Sequence, residues 1–249
     1  MNRLVIAGSG IKFLSHLTFE VQSVIQKSDC VLYLVNDPAM KKWINDHSKK
    51  AISLDEIYFG FNKRSQAYRS LSREIIKITK DNSNTCFITY GHPMLMSSIS
   101  LMLINELKEK SDGISVEVLP GISSLDCLLC DLNIDPGTGG IQAYESAEFI
   151  DKDYYINSNS HFVLWQIGVV GLDTIISDES ILLENKIRYQ AIVTIKRKLL
   201  VHYPESHLVI LYVASMYPTL LYERIEIPLS SLNEVDIPRL ASLYVPPYC

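Results

Sequence analysis

Three short turns in the first half of the chain have the composition of a ligand-binding edge. Residues 8–10 read Gly-Ser-Gly, residues 90–93 read Tyr-Gly-His-Pro, and residues 120–124 read Pro-Gly-Ile-Ser-Ser. Glycine lets backbone amides approach a ligand, and the ends of successive strands are where an open α/β sheet places its binding crevice. Each turn alone is equally an ordinary strand-to-helix connection, with Ser123 or Ser124 as a helix cap. The combination of the three favours a ligand site.

Two common ligand classes do not fit this pattern. Phe13 occupies the place of the third glycine in a dinucleotide-binding fingerprint, and the chain has no Gly-Lys-Ser/Thr phosphate loop. A nucleotide-binding oxidoreductase is therefore the least favoured reading. The balance of 23 basic against 28 acidic residues gives a formal net charge of -5. This charge offers no positive field for a phosphate backbone, so we expect no nucleic-acid partner.

The elements that carry these turns alternate between strands and helices. The predicted strands are 4–7, 30–34, 85–89 and 115–119, and the predicted helices are 18–27, 65–80 and 97–109. A short strand at 51–54 completes this half. Such alternation predicts a mainly parallel sheet covered by helices.

The second half of the chain has a different pattern. Chain-breaking residues are densest at 135–140, so we place a domain boundary there, which gives domains 1–136 and 137–249. Predicted strands at 140–144, 161–168, 207–213 and 241–245 surround one long helix at 182–202. This pattern predicts a second α/β domain that is richer in strands.

The cellular setting is predicted from cysteine use and from the N-terminus. The five cysteines are an odd number and most lie in apolar runs, which fits a reducing cytoplasm. Cys127 and Cys130 form a C-x-x-C without a second ligand pair, so we predict no metal site. The chain begins with a strand-like run, without a signal peptide, and no apolar stretch is long enough to span a membrane.

The order of several motifs resembles the tetrapyrrole (corrin/porphyrin) methylases. The motifs are V-x-A-G-S-G at 5–10, S-D-C-V-L-Y at 28–33, G-H-P at 91–93 and V-E-V-L-P-G-I-S-S at 116–124. Within that superfamily the chain is most similar to the borosin peptide α-N-methyltransferases. The closer likeness lies in Y-G-H-P at 90–93, L-N-I-D-P-G at 132–137, Q-A-Y-E-S at 142–146 and L-W-Q-I at 164–167.

The resemblance implies a fold and a cofactor. It implies a two-domain α/β fold that holds S-adenosylmethionine in the cleft between the domains. The implied cofactor contacts are Tyr90, His92, Leu95, Ser123, Ser124, Gln166, Ala214, Ala241 and Ser242. No metal is needed, because the sulfonium of this cofactor carries its own leaving group and positive charge.

The resemblance also implies a catalytic set, namely Tyr58, Arg64, Tyr68 and Tyr90. An amide nitrogen is a poor nucleophile, because its lone pair is delocalised into the carbonyl group. Our hypothesis is that Tyr68 removes the amide proton, with its pKa lowered by Arg64 four residues earlier on the same helix face. Tyr58 or Tyr90 would donate a hydrogen bond to the carbonyl oxygen. The sequence does not decide which tyrosine is the base and which is the donor. The residues alone favour a plainer interpretation, in which Tyr68 is a half-buried packing aromatic and Arg64 a solvated charge.

The substrate and the assembly are implied in the same way. The printed sequence ends at Cys249, just after the last predicted strand, so we expect a precursor peptide in trans that binds through its own leader domain. The resemblance implies a homodimer, and with two precursors a heterotetramer. Two alternatives stay open: a methylase of a corrinoid or other tetrapyrrole, and a non-catalytic cofactor-binding scaffold. Phe61 favours the scaffold, because it stands where relatives often have a tyrosine and cannot donate a hydrogen bond.

Overall fold

A parallel sheet forms the centre of the first half of the chain, as predicted. The computed structural model describes residues 2–110, 113–172 and 181–248. The sheet has the strand order β3-β2-β4-β1-β5, and all neighbouring strands are parallel. Its strands are β1 Asn2–Gly8, β2 Cys30–Leu34, β3 Ala51–Ser53, β4 Asn84–Thr89 and β5 Ile114–Leu119. Strand β2 is apolar along its length, and β4 is buried from Thr85 to Thr89, because both faces of the parallel sheet are covered.

Helices cover both faces of this sheet. They are α1 Phe19–Lys27, α2 Pro38–His47, α3 Asp55–Phe59, α4 Arg64–Lys80, α5 Ser98–Lys110 and α6 Ser124–Asp131. Thr18 caps α1 by accepting a hydrogen bond from the backbone of Val21, and Asp37 caps α2 in the same way from Ala39. The apolar face of α4 repeats at helical spacing and packs on one side of the sheet, while α1 and α2 pack on the other. Residues 110–113 read Lys-Ser-Asp-Gly, which predicts a turn after α5, and this turn lies partly outside the described residues.

The second half forms a mixed sheet around one long helix. Its elements are β6 Ile141–Glu145, α7 Ser146–Asp151, β7 His161–Trp165, α8 Ile181–Leu200, β8 Leu208–Val213, β9 Glu223–Pro228 and β10 Ser242–Val245. The strand order is β6-β7-β10-β8-β9; β6 and β7 are parallel and the other pairs antiparallel. Two 3-10 helices, Ile167–Val169 and Leu229–Ser231, connect these elements. The sheet and α8 share one apolar core.

The division of the chain differs from the predicted boundary. One unit contains Met1–Cys127 and Ser215–Leu220, and the other contains Leu128–Ala214 and Leu221–Cys249. The predicted break at 135–140 is a turn inside the second unit, where the Asp135 side chain accepts a hydrogen bond from the backbone of Gly137. Chain-breaking residues therefore mark a local turn here, whereas the division runs through α6.

Two local predictions need correction. The strand predicted at 161–168 ends at Trp165, because Gln166 adopts a left-handed conformation with a φ of 58° and a 3-10 helix follows. The strand predicted at 51–54 ends at Ser53, and Tyr58 lies in the short helix α3 that follows it. Strand β9 was not predicted, because its sequence Glu-Arg-Ile-Glu-Ile-Pro places charges on an exposed edge.

Within the described residues, no helix is long and apolar enough to cross a membrane. The same residues contain no group of three or more histidine, cysteine or acidic side chains that could hold a metal ion. The four cysteines that the structure describes form no disulfide, and Cys127 and Cys130 lie in α6.

Three glycines bring the ends of β1, β4 and β5 into backbone contact. A Cβ atom on Gly8 would lie 2.1 Å from the carbonyl oxygen of Gly91 and 3.2 Å from the Cα of Gly121. A Cβ atom on Gly121 would lie 2.5 Å from the same carbonyl oxygen. We call Gly8, Gly91 and Gly121 the glycine contact. A side chain at Gly8 or Gly121 would push the turns apart, so these glycines are required by the packing of the turns themselves.

Replacing Gly8 with alanine tests this requirement. We expect Gly8→Ala to lower the free energy of unfolding by about 2 kcal/mol or more, because backbone atoms must move to admit the methyl group. Gly137→Ala is the matched control, since Gly137 is exposed and the nearest atom to its added Cβ is the end of the Asp135 side chain. Urea unfolding of the three proteins measures the difference. Equal stability of Gly8→Ala and Gly137→Ala would show that the turns are not held by this contact.

Candidate active site

The three predicted turns meet at one edge of the first sheet. Gly10 and Gly91 form an antiparallel bridge, with N···O distances of 3.1 Å and 3.2 Å in its two hydrogen bonds. Both residues have a positive φ, which glycine adopts without steric cost. The bridge fixes Tyr90 and His92 on either side of Gly91. The turns thus form the continuous edge that their sequence predicted.

Tyr90 is a largely buried phenol at this edge. Burial, followed by the negative charges of Cys127 and Asp37, raises the pKa of Tyr90 to about 12. The phenol therefore keeps its proton at neutral pH and can donate a hydrogen bond. Of the two roles that the sequence left open for tyrosines, the pKa of Tyr90 suits the donor and not the base.

Asp37 is a buried carboxylate that the sequence reasoning did not assign to the site. Besides capping α2, it accepts a hydrogen bond of 2.8 Å from the hydroxyl of Tyr217. It also contributes to the raised pKa of Tyr90. The Asp37-Pro38 pair is a recognisable helix start, but nothing in the local sequence indicates Tyr217 as the partner 180 residues away.

His92 and Ser123 are fixed by hydrogen bonds to their own turns. His92 Nδ1 accepts a hydrogen bond of 3.0 Å from the backbone of Met94, which leaves Nε2 as the N–H donor of the neutral ring. The Ser123 hydroxyl and backbone N–H both donate to one oxygen of Asp126, at 2.6 Å each, and Asp126 N–H donates back to the hydroxyl at 3.2 Å. Ser123 is therefore the cap of α6, the alternative role that the sequence offered.

The other two implied contacts in the first unit lie beside these residues. Ser124 is the first residue of α6, and Leu95 is half-buried in the turn before α5. The backbone of Leu95 donates to the carbonyl oxygen of His92 at 3.2 Å. Both residues therefore lie within the turns that the glycine contact brings together.

Tyr58 and Tyr68 form a second group on α3 and α4. Their ring centroids are 6.0 Å apart with an interplanar angle of 30°, and both rings pack on the apolar core beside α4. The half-buried packing role considered for Tyr68 is therefore present. Arg64 is one helical turn before Tyr68, and its Nε atom is buried without a hydrogen-bond partner in the described part of the chain. A buried N–H without an acceptor is costly, so this guanidinium can bind an incoming oxygen.

Four further implied contacts lie in the second unit. Gln166 directly follows β7 in its left-handed conformation, and Ala214 directly follows β8. Ala241 and Ser242 are buried at the start of β10. The strained backbone of Gln166 is notable, because such residues cluster at functional sites.

The comparisons with known proteins agree with the motifs. The family model described as Tetrapyrrole (Corrin/Porphyrin) Methylases matches residues 3–216. Over 98% of its length the chain is 30% identical to a methyltransferase/type I borosin cyclic peptide precursor of Coprinopsis marcescibilis. Over the same share it is 29% identical to the methyltransferase/omphalotin A precursor of Omphalotus olearius. The matched regions are 62% and 57% of those two proteins, so the chain spans about three fifths of the length of these relatives.

Solved structures show the same fold. The uroporphyrin-III-C-methyltransferase of Thermus thermophilus superposes with a TM-score of 0.67 at 15% identity, covering 99% of this chain and 92% of that one. A second structure of a uroporphyrin-III C-methyltransferase from this organism, complexed with S-adenyl homocysteine, has a TM-score of 0.62 at 16% identity and covers 98% of this chain and 92% of that one. The predicted two-domain methylase fold is thereby confirmed.

The proton on Tyr90 is testable by stability at high pH. Because the folded-state pKa of about 12 exceeds the unfolded value of about 10, the folded protein holds this proton more tightly. The wild type should therefore lose stability through this group as the pH rises from about 10 to about 12, and Tyr90→Phe should lack that loss. Urea unfolding at several alkaline pH values measures it, with Tyr155→Phe as the control at an exposed tyrosine. If the difference in free energy of unfolding between the wild type and Tyr90→Phe does not change with pH, the raised pKa of Tyr90 is contradicted.

Proposed function

Since this chain belongs to the tetrapyrrole (corrin/porphyrin) methylases, we propose that it is an S-adenosylmethionine-dependent methyltransferase that acts iteratively on backbone amide nitrogens of a ribosomal precursor peptide. The curated relatives carry names that join a methyltransferase to a cyclic peptide precursor. One observation in the structure carries the proposal. It is the ring contact of Tyr58 with Tyr68, one helical turn after Arg64, whose buried Nε has no hydrogen-bond partner among the described residues.

The residues of the first unit fit the cofactor chemically. Tyr90 and His92 lie beside the glycine contact, and His92 Nε2 is a hydrogen-bond donor. Such a donor suits a carboxylate, and the buried Asp37 carboxylate beside Tyr90 suits a cationic group. Leu95, Ser123 and Ser124 would complete the contacts of this edge. We propose Gln166, Ala214, Ala241 and Ser242 as the contacts from the second unit.

The cofactor and the chain each supply part of the chemistry of methyl transfer. When bound, S-adenosylmethionine supplies an electrophilic methyl group on a positively charged sulfur. The chain must make the amide nucleophilic by removing the N–H proton and stabilising the negative charge that moves onto the carbonyl oxygen. It must also align the nitrogen and exclude water, which contributes much of the acceleration in such transfers.

Four side chains have properties that suit these tasks. Tyr68 takes the amide proton on its phenolate oxygen, and the Arg64 guanidinium favours that phenolate. Tyr90 keeps its proton up to a pH near 12 and donates it in a hydrogen bond to the developing imidate oxygen. Tyr58, in ring contact with Tyr68, is the alternative donor.

The partners follow from the same proposal. The peptide is supplied on a separate chain with its own leader domain, in the cytoplasm, and two copies of the enzyme with two precursors form a heterotetramer. Light scattering after size-exclusion chromatography measures that stoichiometry.

Intact mass spectrometry tests the function. A leader-bearing precursor incubated with this protein and S-adenosylmethionine should gain successive methyl groups, and fragmentation should place them on backbone nitrogens. No mass change in a protein that binds S-adenosylhomocysteine would overturn the proposal. Methyl transfer to a uroporphyrinogen instead would favour a tetrapyrrole methylase, and binding without any transfer would favour a scaffold.

Variants of the tyrosine pair test the assignment of the base. We expect Tyr68→Phe to lower the rate of the first methyl addition by about 100-fold or more, with unchanged affinity for S-adenosylhomocysteine, because only the proton acceptor is lost. Tyr58→Phe should have a smaller effect, since Tyr90 remains as a donor. Tyr155→Phe is again the control. A Tyr68→Phe enzyme with wild-type turnover would exclude Tyr68 as the base.

A further inference from the structure

Phe59 is an exposed aromatic side chain in direct contact with the tyrosine pair. Its side chain is 64% exposed, and the edge of its ring meets Tyr58 with centroids 5.1 Å apart and an interplanar angle of 78°. Tyr58 in turn contacts Tyr68 at 6.0 Å. Phe59, Tyr58 and Tyr68 therefore form a continuous row of rings, with an exposed phenylalanine at one end. We call these three residues the aromatic row.

The fold does not require a phenylalanine at this position. Helix α3 has five residues and none is buried. Its start is held by the buried Leu54 and by an ion pair between Lys41 and Asp55, and Gly60 follows its end. Phe59 is thus the last residue of a helix that other contacts anchor.

A single exposed phenylalanine is ordinary on a protein surface, and Phe19 is such a residue. It is 89% exposed at the first position of α1, and no ring contact is found for it within the described ranges. Phe59 differs from Phe19 in its contact with a candidate catalytic side chain. The exposed ring of Phe59 therefore lies directly next to that side chain.

We propose that Phe59 is a substrate-contact residue, which packs against an apolar side chain of the peptide beside the amide being methylated. This inference rests on the proposed function and adds a preference for apolar acceptor sequences. An extended peptide advances by about 3.3 Å per residue. The ring separations of 5.1 Å from Phe59 to Tyr58 and 6.0 Å from Tyr58 to Tyr68 together span about three such residues, so Phe59 reaches a side chain within about three residues of an amide held at Tyr68.

An apolar contact also suits repeated methylation. Each methyl group removes a backbone N–H, so a donor that the enzyme could use to hold the peptide is lost at every turnover. Packing against a phenylalanine ring does not depend on that N–H and is available before and after methylation. Phe59 can therefore hold a growing methylated segment where backbone hydrogen bonds cannot.

Kinetics with matched precursors test the proposal. The probes are a leader-bearing precursor with a valine-rich acceptor stretch and the same precursor with serine at those positions. For the valine-rich precursor, Phe59→Ser should raise KM of the first methyl addition about tenfold and leave kcat within about twofold, because the contact is equal in the ground state and the transition state. Phe59→Leu should restore most of the affinity. The serine-rich precursor should respond to neither variant, and Phe19→Ser should leave all values unchanged.

Three results would overturn the inference. An unchanged KM for the valine-rich precursor with Phe59→Ser would show that Phe59 does not contact the substrate. It would leave the proposed function intact. An equal loss of kcat on both precursors, together with a lower Tm, would make Phe59 a structural residue. A wild-type enzyme that binds S-adenosylhomocysteine but methylates neither precursor would overturn the proposed function and this inference together, and it is recognised before any variant is made.

Discussion

The backbone contact of Gly8, Gly91 and Gly121 is the constraint on which the binding edge depends. The carbonyl oxygen of Gly91 fills the space that a side chain on Gly8 or Gly121 would need, so the ends of β1, β4 and β5 approach more closely than larger residues allow. A parallel sheet already places the carboxyl ends of its strands at one edge. The glycine contact then turns three separate loops into one rigid surface that presents Tyr90, His92 and the cap of α6.

Tyr90 differs from Tyr58 and Tyr68 in its surroundings. It lies near the buried Asp37, and burial raises its pKa to about 12, so the phenol holds its proton at neutral pH. Tyr58 and Tyr68 lie instead on α3 and α4, and the buried Nε of Arg64 on α4 has no hydrogen-bond partner among the described residues. In the proposed function the same side-chain type would therefore serve as both donor and base, which is how enzymes combine acid and base chemistry near neutral pH.

Strands and helices were predicted correctly where a short run of residues is compatible with only one kind of element. The five strands of the first sheet and the helix bearing Arg64 and Tyr68 were predicted from their apolar patterns. Prediction from the sequence failed where distant residues decide the outcome. The pairing of Asp37 with Tyr217, the left-handed turn at Gln166 and the charged edge strand β9 depend on tertiary contacts or strain that no short segment encodes. The backbone contact between the three glycines was also not predicted, because a glycine-rich turn has the same sequence whether it lies against a ligand or against another backbone segment.

Hydrogen–deuterium exchange with and without S-adenosylhomocysteine tests most directly whether the glycine contact builds the cofactor edge. On our account, the ligand should slow exchange at residues 8–16, 90–97 and 121–126 together, because the three turns are one surface. The exposed turn at 135–140 should exchange at the same rate in both conditions. Binding demonstrated by calorimetry, with protection at only one of the three turns or at none, would contradict the account.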